Sequence, residues 1–227
     1  MPRVARIVLP GLPHHVTQRG NNRQDVFFVN DDRRLYLEIL NEEARRHGVA
    51  VLGYCLMTNH VHLILVPDTE QSLAKALGRV HFRYAQRINL LHGRSGHLWQ
   101  ARFYSCPLDA KHLARAMRYV ERNPVRARLA RKPWTYPWSS ARAHIESDDP
   151  SGTIDTRAWR RRFSPSEWRE YLDAKDDPDF VFRLRNNTSR GRPLAGDAFM
   201  AKLEKRLNRR LRPLAVGRPK KPKPSNA

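Results

Sequence analysis

The passage that most restricts the fold is residues 49–66. Two runs rich in branched and aromatic residues, 49–57 and 60–66, are separated there by only Thr58 and Asn59. Two such runs joined by a two-residue connection read as a β-hairpin. Helical periodicity flanks it on both sides. Ahead of it, Asp31 and Asp32 open a pattern in which Leu35, Tyr36, Ile39, Leu40 and Ala44 recur at three- and four-residue steps, and Gly48 stands where a C-terminal cap belongs. Behind it, Leu73, Ala76, Leu77, Val80, Tyr84 and Ile88 mark a helix over about 71–91. A strand at 13–19, stopped by Gly20-Asn21-Asn22, comes first, and a strand near 98–106 comes last. Asp109 then caps a helix from 110 to about 123, where Pro124 interrupts it. Strand, helix, strand, strand, helix, strand is the ferredoxin-like order. The expected class is α+β, a ferredoxin-like (βαββαβ) antiparallel sheet with helices on one face.

Beyond residue 145 the pattern weakens. Residues 146–153 form a polar loop, Phe199, Leu203, Leu207 and Leu211 mark a helix over 196–211, and 212–227 is too rich in proline and lysine to pack. The expected organisation is a domain over 1–145, a loop and helical extension over 146–211, and a disordered basic tail over 212–227. Charge is uneven along the chain. The formal net charge of +21 divides into +13 over 1–145, −1 over 146–201 and +9 over 202–227. A basic excess of this size on a chain of 227 residues points to nucleic acid as the partner. No uninterrupted apolar run is long enough for a bilayer span, the N-terminus lacks a signal core, and Cys55 and Cys106 stand far apart. These features point to a cytoplasmic, nucleoid-associated protein with free thiols and no membrane partner.

Two local patterns carry chemistry. His60 and His62 lie two apart in the second hairpin strand, so their imidazoles project from one face and can reach one ion. Tyr119 and Asn123 lie four apart on a helical pattern and share a face. Tyrosine is among the side chains that form covalent enzyme intermediates, and an asparagine carbonyl suits a hard cation. Read from residue types alone, the histidines are equally two half-buried strand residues, and Tyr119 is equally a core tyrosine.

The stretch Gly53-Tyr54-Cys55-Leu56-Met57-Thr58-Asn59-His60-Val61-His62-Leu63 does not stand alone. With it come His15-Val16-Thr17-Gln18-Arg19-Gly20-Asn21-Asn22-Arg23, Leu98-Trp99-Gln100-Ala101-Arg102-Phe103 and Arg118-Tyr119-Val120-Glu121-Arg122-Asn123-Pro124-Val125-Arg126-Ala127. Together, and in this order, they resemble the single-tyrosine HUH transposases, most of all the REP-associated tyrosine transposases, over about residues 3–145. The resemblance implies that His60, His62 and Asn123 bind Mg²⁺ or Mn²⁺ and that Tyr119 attacks a phosphodiester of single-stranded DNA near a hairpin or palindrome. A 5′-phosphotyrosine and a free 3′-OH would result, and rejoining would need no nucleotide cofactor. Two positions depart from the family pattern. Thr58 stands where proline is usual, and Arg128 follows Ala127 where glycine is frequent.

Arg19, Asn21, Asn22 and Arg23 at the end of the first strand, with Arg102 and Arg126, are expected to hold phosphates of a single strand or hairpin. In the tail, Gly217-Arg218-Pro219 followed by Lys220 and Lys221 resembles a minor-groove hook, so Arg218, Lys220 and Lys221 are expected to bind duplex DNA. The assembly is expected to be a monomer or homodimer. The competing expectation is a non-catalytic regulator that keeps the fold to bind hairpins.

Overall fold

The structure, a computed structural model, describes residues 6–212 apart from 147, 150 and 155, so Arg218, Lys220 and Lys221 lie outside the described residues. Its sheet unit runs β1 (His14–Arg19), α1 (Asn30–Arg46), β2 (Val49–Leu56), β3 (His60–Pro67), α2 (Ser72–Leu91) and β4 (Tyr104–Pro107). The strands are ordered β2-β3-β1-β4 and every pair is antiparallel, which is the expected ferredoxin-like arrangement. The hairpin closes at Thr58-Asn59, where the Met57 amide donates to the His60 carbonyl at 2.9 Å. Register sets the later chemistry, because Thr17 lies opposite His62 and Arg19 opposite His60. Partners across a ladder share a face.

The strands alternate between two buried faces. On one, Val16, Tyr54, Leu56, Val61, Leu63 and Leu65 pack with α1 and α2 through Leu40, Leu73, Leu77 and Tyr84. These are the two helices that the periodicity placed on a single face. The other face carries Cys55, Ile64 and Cys106, covered by α3 (Ala110–Glu121). After the short α4 (Asn123–Arg126), α5 (Ala141–Glu146) and α6 (Thr156–Arg160), the same cluster gains α7 (Pro165–Asp173) and α8 (Pro178–Arg190) through Trp168, Leu172, Phe180 and Leu184. The last described helix, α9 (Asp197–Leu207), packs Met200 and Leu203 against Ile7 and Leu9. Thus Ile154, Trp159, Trp168, Leu172, Phe180, Leu184 and Leu194 share cores with the sheet, while α9 packs in a separate cluster with the N-terminal segment. Gly53 permits the close approach of α3, since a Cβ there would fall 2.3 Å from Met117 Sδ and 2.9 Å from Ser140 Oγ.

Two expected boundaries move. The strand near 98–106 contracts to Tyr104–Pro107, with Trp99 joined to Gly20 by a single bridge. Trp99 is held instead by its indole, which donates to the His81 carbonyl at 3.1 Å. The helix from 110 closes at Glu121, and Pro124 sits in the first turn of α4 rather than ending α3, a position where its missing N–H costs nothing. Arg128 has φ +59°, the left-handed region that glycine occupies without strain.

Buried histidines give this fold a pH limit. His14 accepts from the Leu9 amide at Nε2 (3.1 Å) and donates from Nδ1 to the Leu12 carbonyl (2.8 Å), so both nitrogens are used in the neutral form. Burial pushes its pKa from 6.5 to about 4, and burial with the nearby Arg6 charge pushes His81 from 6.5 to about 3. Between pH 6.5 and about 4 the unfolded chain therefore takes up protons that the native state refuses, and stability falls as pH falls. Above pH 6.5 these groups contribute no pH dependence. The melting temperature is expected to drop steeply from pH 7 to pH 4.5, and a flat profile in thermal melts would contradict it.

Candidate active site

Residues from β1, β3, α3, α4 and α8 line one cavity of about 640 Å³. Among them are His15, His60, His62, Tyr119, Asn123 and Arg185. The sheet supplies the histidines because alternation puts His60 and His62 of β3 and His15 of β1 on the face that α3 covers. Tyr119 sits two residues from the end of α3, and Asn123 opens α4, so the four-residue spacing survives the break between them.

The histidines are fixed by hydrogen bonds that define their free nitrogens. Asn59 Nδ2 donates to the Arg23 carbonyl at 3.0 Å, which turns its Oδ1 toward His60 Nδ1 at 2.7 Å. That oxygen can only accept, so His60 carries its proton on Nδ1 and keeps a lone pair on Nε2. His62 Nδ1 meets His15 Nε2 at 2.9 Å, and His15 Nδ1 meets Thr188 Oγ1 of α8 at 2.8 Å. When His62 donates to His15, and His15 in turn to Thr188, the His62 Nε2 lone pair also stays free. Burial drives all three toward the neutral form, aided by neighbouring positive charge. His15 falls to about 3, His60 to about 4 with Arg19 and Arg185 adding to burial, and His62 well below 6.5. Neutral imidazole is the form that binds metals.

Asn123 lines the same cavity. Its Nδ2 donates to the Tyr119 and Val120 carbonyls, both at 3.3 Å, and its Oδ1 has no hydrogen bond among the described residues. Two imidazole nitrogens and one amide oxygen, with space for phosphate or water oxygens, suit a small divalent cation, and Mn²⁺ tolerates imidazole better than Mg²⁺ does. Among the described residues no three His, Cys, Asp or Glu side chains stand together as a metal site. Asn123, a residue of another type, is the candidate third ligand.

Tyr119 is 4% exposed, with its ring set edge-on to His15 and His62 at 5.6 and 5.5 Å. Arg185 donates to its phenol oxygen at 3.1 Å, and the Arg126 guanidinium lies 4.2 Å from the ring centre. Arg126 is also held from behind by Asp176 at 3.2 Å, which shares its carboxylate with Arg122 at 3.1 Å. The nucleophile candidate is therefore flanked by two cations, one of which is anchored.

The sequence-derived residues divide among several places. His60, His62, Tyr119, Asn123, Arg19 and Arg126 line this cavity. Arg102 lines an adjoining cleft. Asn21, Asn22 and Arg23 line neither; they form a turn beside the hairpin, tied to it where the Gly20 amide donates to the Asn59 carbonyl at 2.9 Å. His15, Arg185 and Thr188 were not anticipated. His15 was legible in principle, because it lies two and four residues before Thr17 and Arg19 on one strand face. Nothing local marks Arg185 or Thr188, which arrive from a helix more than 50 residues downstream of Tyr119.

Residues 10–123 match the family model described as IS200-like transposase. No curated protein matches the sequence. Among solved structures, a REP-associated tyrosine transposase bound to a REP hairpin is similar at 15% identity and TM-score 0.54, over 66% of this chain and 90% of that one. A putative transposase from Deinococcus radiodurans R1 is 18% identical with TM-score 0.38, over 53% of this chain and 96% of that one.

Proposed function

The chain belongs to the IS200-like transposase family, and on that premise we propose that it cuts and rejoins single-stranded DNA through Tyr119, with a divalent cation held by His60, His62 and Asn123. The observation that carries this reading is the meeting, in one cavity, of a tyrosine hydroxyl, two imidazoles kept neutral and an uncommitted amide oxygen. When bound, the cation would polarise the non-bridging phosphate oxygens and offset the charge that develops on them.

The chain's own residues account for the rest. The Tyr119 oxygen attacks phosphorus, a P–O bond to tyrosine forms, and the bond from phosphorus to the 3′ oxygen breaks. The phenol loses one proton and the departing 3′ oxygen gains one, leaving a 5′-phosphotyrosine and a free 3′-OH. The ester conserves the bond energy, so attack by a 3′-OH reverses the step without a nucleotide cofactor. Arg185, already on the phenol oxygen, is placed to pair with the phosphate, and Arg19 faces the same cavity beside His60. The solved relative holds a REP hairpin, and a single strand flanked by a palindrome is the substrate proposed here. Arg218, Lys220 and Lys221 of the tail are proposed to add duplex contacts.

The test is incubation of the protein with an end-labelled hairpin oligonucleotide bearing single-stranded flanks, with Mn²⁺ or with EDTA. A protein–DNA adduct that survives denaturing electrophoresis is expected with Mn²⁺ only. Binding of equal strength in EDTA with no adduct under any condition would favour a non-catalytic hairpin binder.

His15 orients His62 and sets its free nitrogen, a role that costs affinity when removed from other metal sites. His15→Ala is expected to weaken Mn²⁺ binding by about 10- to 100-fold, measured by titration calorimetry or electron paramagnetic resonance, with little change in secondary structure.

A further inference from the structure

Beside the active-site cavity, along the outer edge of β4, lies a second cleft of about 460 Å³. Its lining includes Arg6, Arg102, Arg190, Arg192, Arg209 and Arg210 and no acidic side chain. These arginines come from the N-terminal segment, the loop before β4, the end of α8 and the segment after α9. Their convergence is therefore a product of the tertiary fold and not of one basic run. We propose that this cleft is a track for single-stranded DNA on its way to or from Tyr119, an inference that rests on the function proposed above.

Two observations carry it. First, the two cavities are contiguous, because Tyr104 and Ser189 line both. Tyr104 lies opposite Thr17 in the ladder, on the face that bears His62, and is 45% exposed. An exposed ring at the junction offers a stacking surface to a base, the mode by which proteins hold unpaired strands.

Second, no carboxylate lines the cleft beside Arg6, Arg102, Arg190 and Arg192. Arg6 stacks on the Phe103 ring at 3.8 Å and donates to the Phe103 carbonyl, while Arg192 donates to the Leu211 carbonyl. Arg102 and Arg190 make no ion pair among the described residues. Burial, with the Arg102 charge beside it, lowers Arg6 to about 10, a sign of cations held close without an anion.

The class of ligand follows from these two features. A flexible polyanion with flat bases satisfies both the arginines and Tyr104. A duplex, whose bases are already stacked on one another, leaves the ring unused.

The test is fluorescence anisotropy of the full-length protein with a labelled oligonucleotide, in EDTA so that no cleavage intervenes. The double variant Arg102→Ala/Arg190→Ala removes two side chains that make no hydrogen bond among the described residues. It is expected to weaken binding to the single strand about tenfold or more. The slope of log affinity against log salt should shrink by roughly 1.4, at about 0.7 per phosphate contact in a single strand. Tyr104→Ala should cost about fivefold or more, with Tyr104→Phe restoring it. Wild-type affinity and slope in the double variant, or a loss confined to duplex DNA, would overturn the proposal. The adduct assay answers separately. A wild-type protein that forms the adduct while the cleft variants bind normally refutes the cleft alone, and one that loses single-strand binding on cleft substitution but never forms the adduct refutes the catalytic reading alone.

Discussion

Tyr119→Phe is expected to abolish the covalent protein–DNA adduct, a loss on the order of 10⁴-fold or more in strand cleavage, as befits removal of a nucleophile. The substitution deletes one oxygen and keeps the ring. Its edge-on contacts with His15 and His62 and its packing under Arg126 remain. Among the described residues the one hydrogen bond lost is that donated by Arg185, worth about 1 kcal/mol, so the variant should stay folded and bind DNA nearly as well as the parent. Denaturing electrophoresis with labelled oligonucleotide and Mn²⁺ reads the outcome. An adduct that persists would move the nucleophile to Tyr104, a second tyrosine lining the same cavity, and Tyr104→Phe would then settle the assignment.

The second large effect is on stability. Glu121 has no exposed surface, and its carboxylate accepts from Ser140 Oγ at 2.6 Å, His144 Nδ1 at 2.6 Å and Trp168 Nε1 at 2.9 Å. One side chain at the end of α3 thus fastens the loop before α5, α5 itself and α7. Glu121→Ala leaves the buried His144 and Trp168 donors without this acceptor and Ser140 Oγ with only the Tyr54 carbonyl at 3.3 Å, and opens a void where His144 stacks on Trp159 and Trp168 sits edge-on to both. The expected cost is about 3–5 kcal/mol, a fall in melting temperature on the order of 10 °C for a chain of this size. Glu121→Gln keeps the volume and part of the acceptor capacity and should cost less. Differential scanning calorimetry of the two variants decides it, and an alanine variant that melts within a degree or two of the parent would show that the network contributes little.

The sheet unit was legible because its signals are local. Leu35, Tyr36, Ile39 and Leu40 repeat at helical spacing, Thr58-Asn59 closes a hairpin, and Asp109 caps α3 by accepting from the His112 amide at 2.9 Å. His60, His62, Tyr119 and Asn123 were legible for the same reason, since each pair sits within one strand or one helical turn. The other half of the site was hidden. His15 meets His62 only because β1 and β3 pair, and Thr188 and Arg185 arrive only because Trp168, Leu172 and Leu184 bury α7 and α8 on the second face of the sheet. No periodicity within 178–190 announces which sheet face a helix will cover. The extent of β4 was misjudged because apolar residues at 98–103 serve two purposes, and Leu98, Trp99 and Phe103 enter the core from irregular backbone.

The contribution of α8 to the cavity has a consequence for biogenesis. During synthesis the hairpin, Tyr119 and Asn123 leave the ribosome long before residues 185–188 do, so a nascent chain that has folded its sheet still lacks the arginine on the phenol and the hydroxyl behind His15. The candidate site is complete only once residues 185–188 have been made, and a chain released before them by a stalled ribosome would carry the motifs without the assembled site.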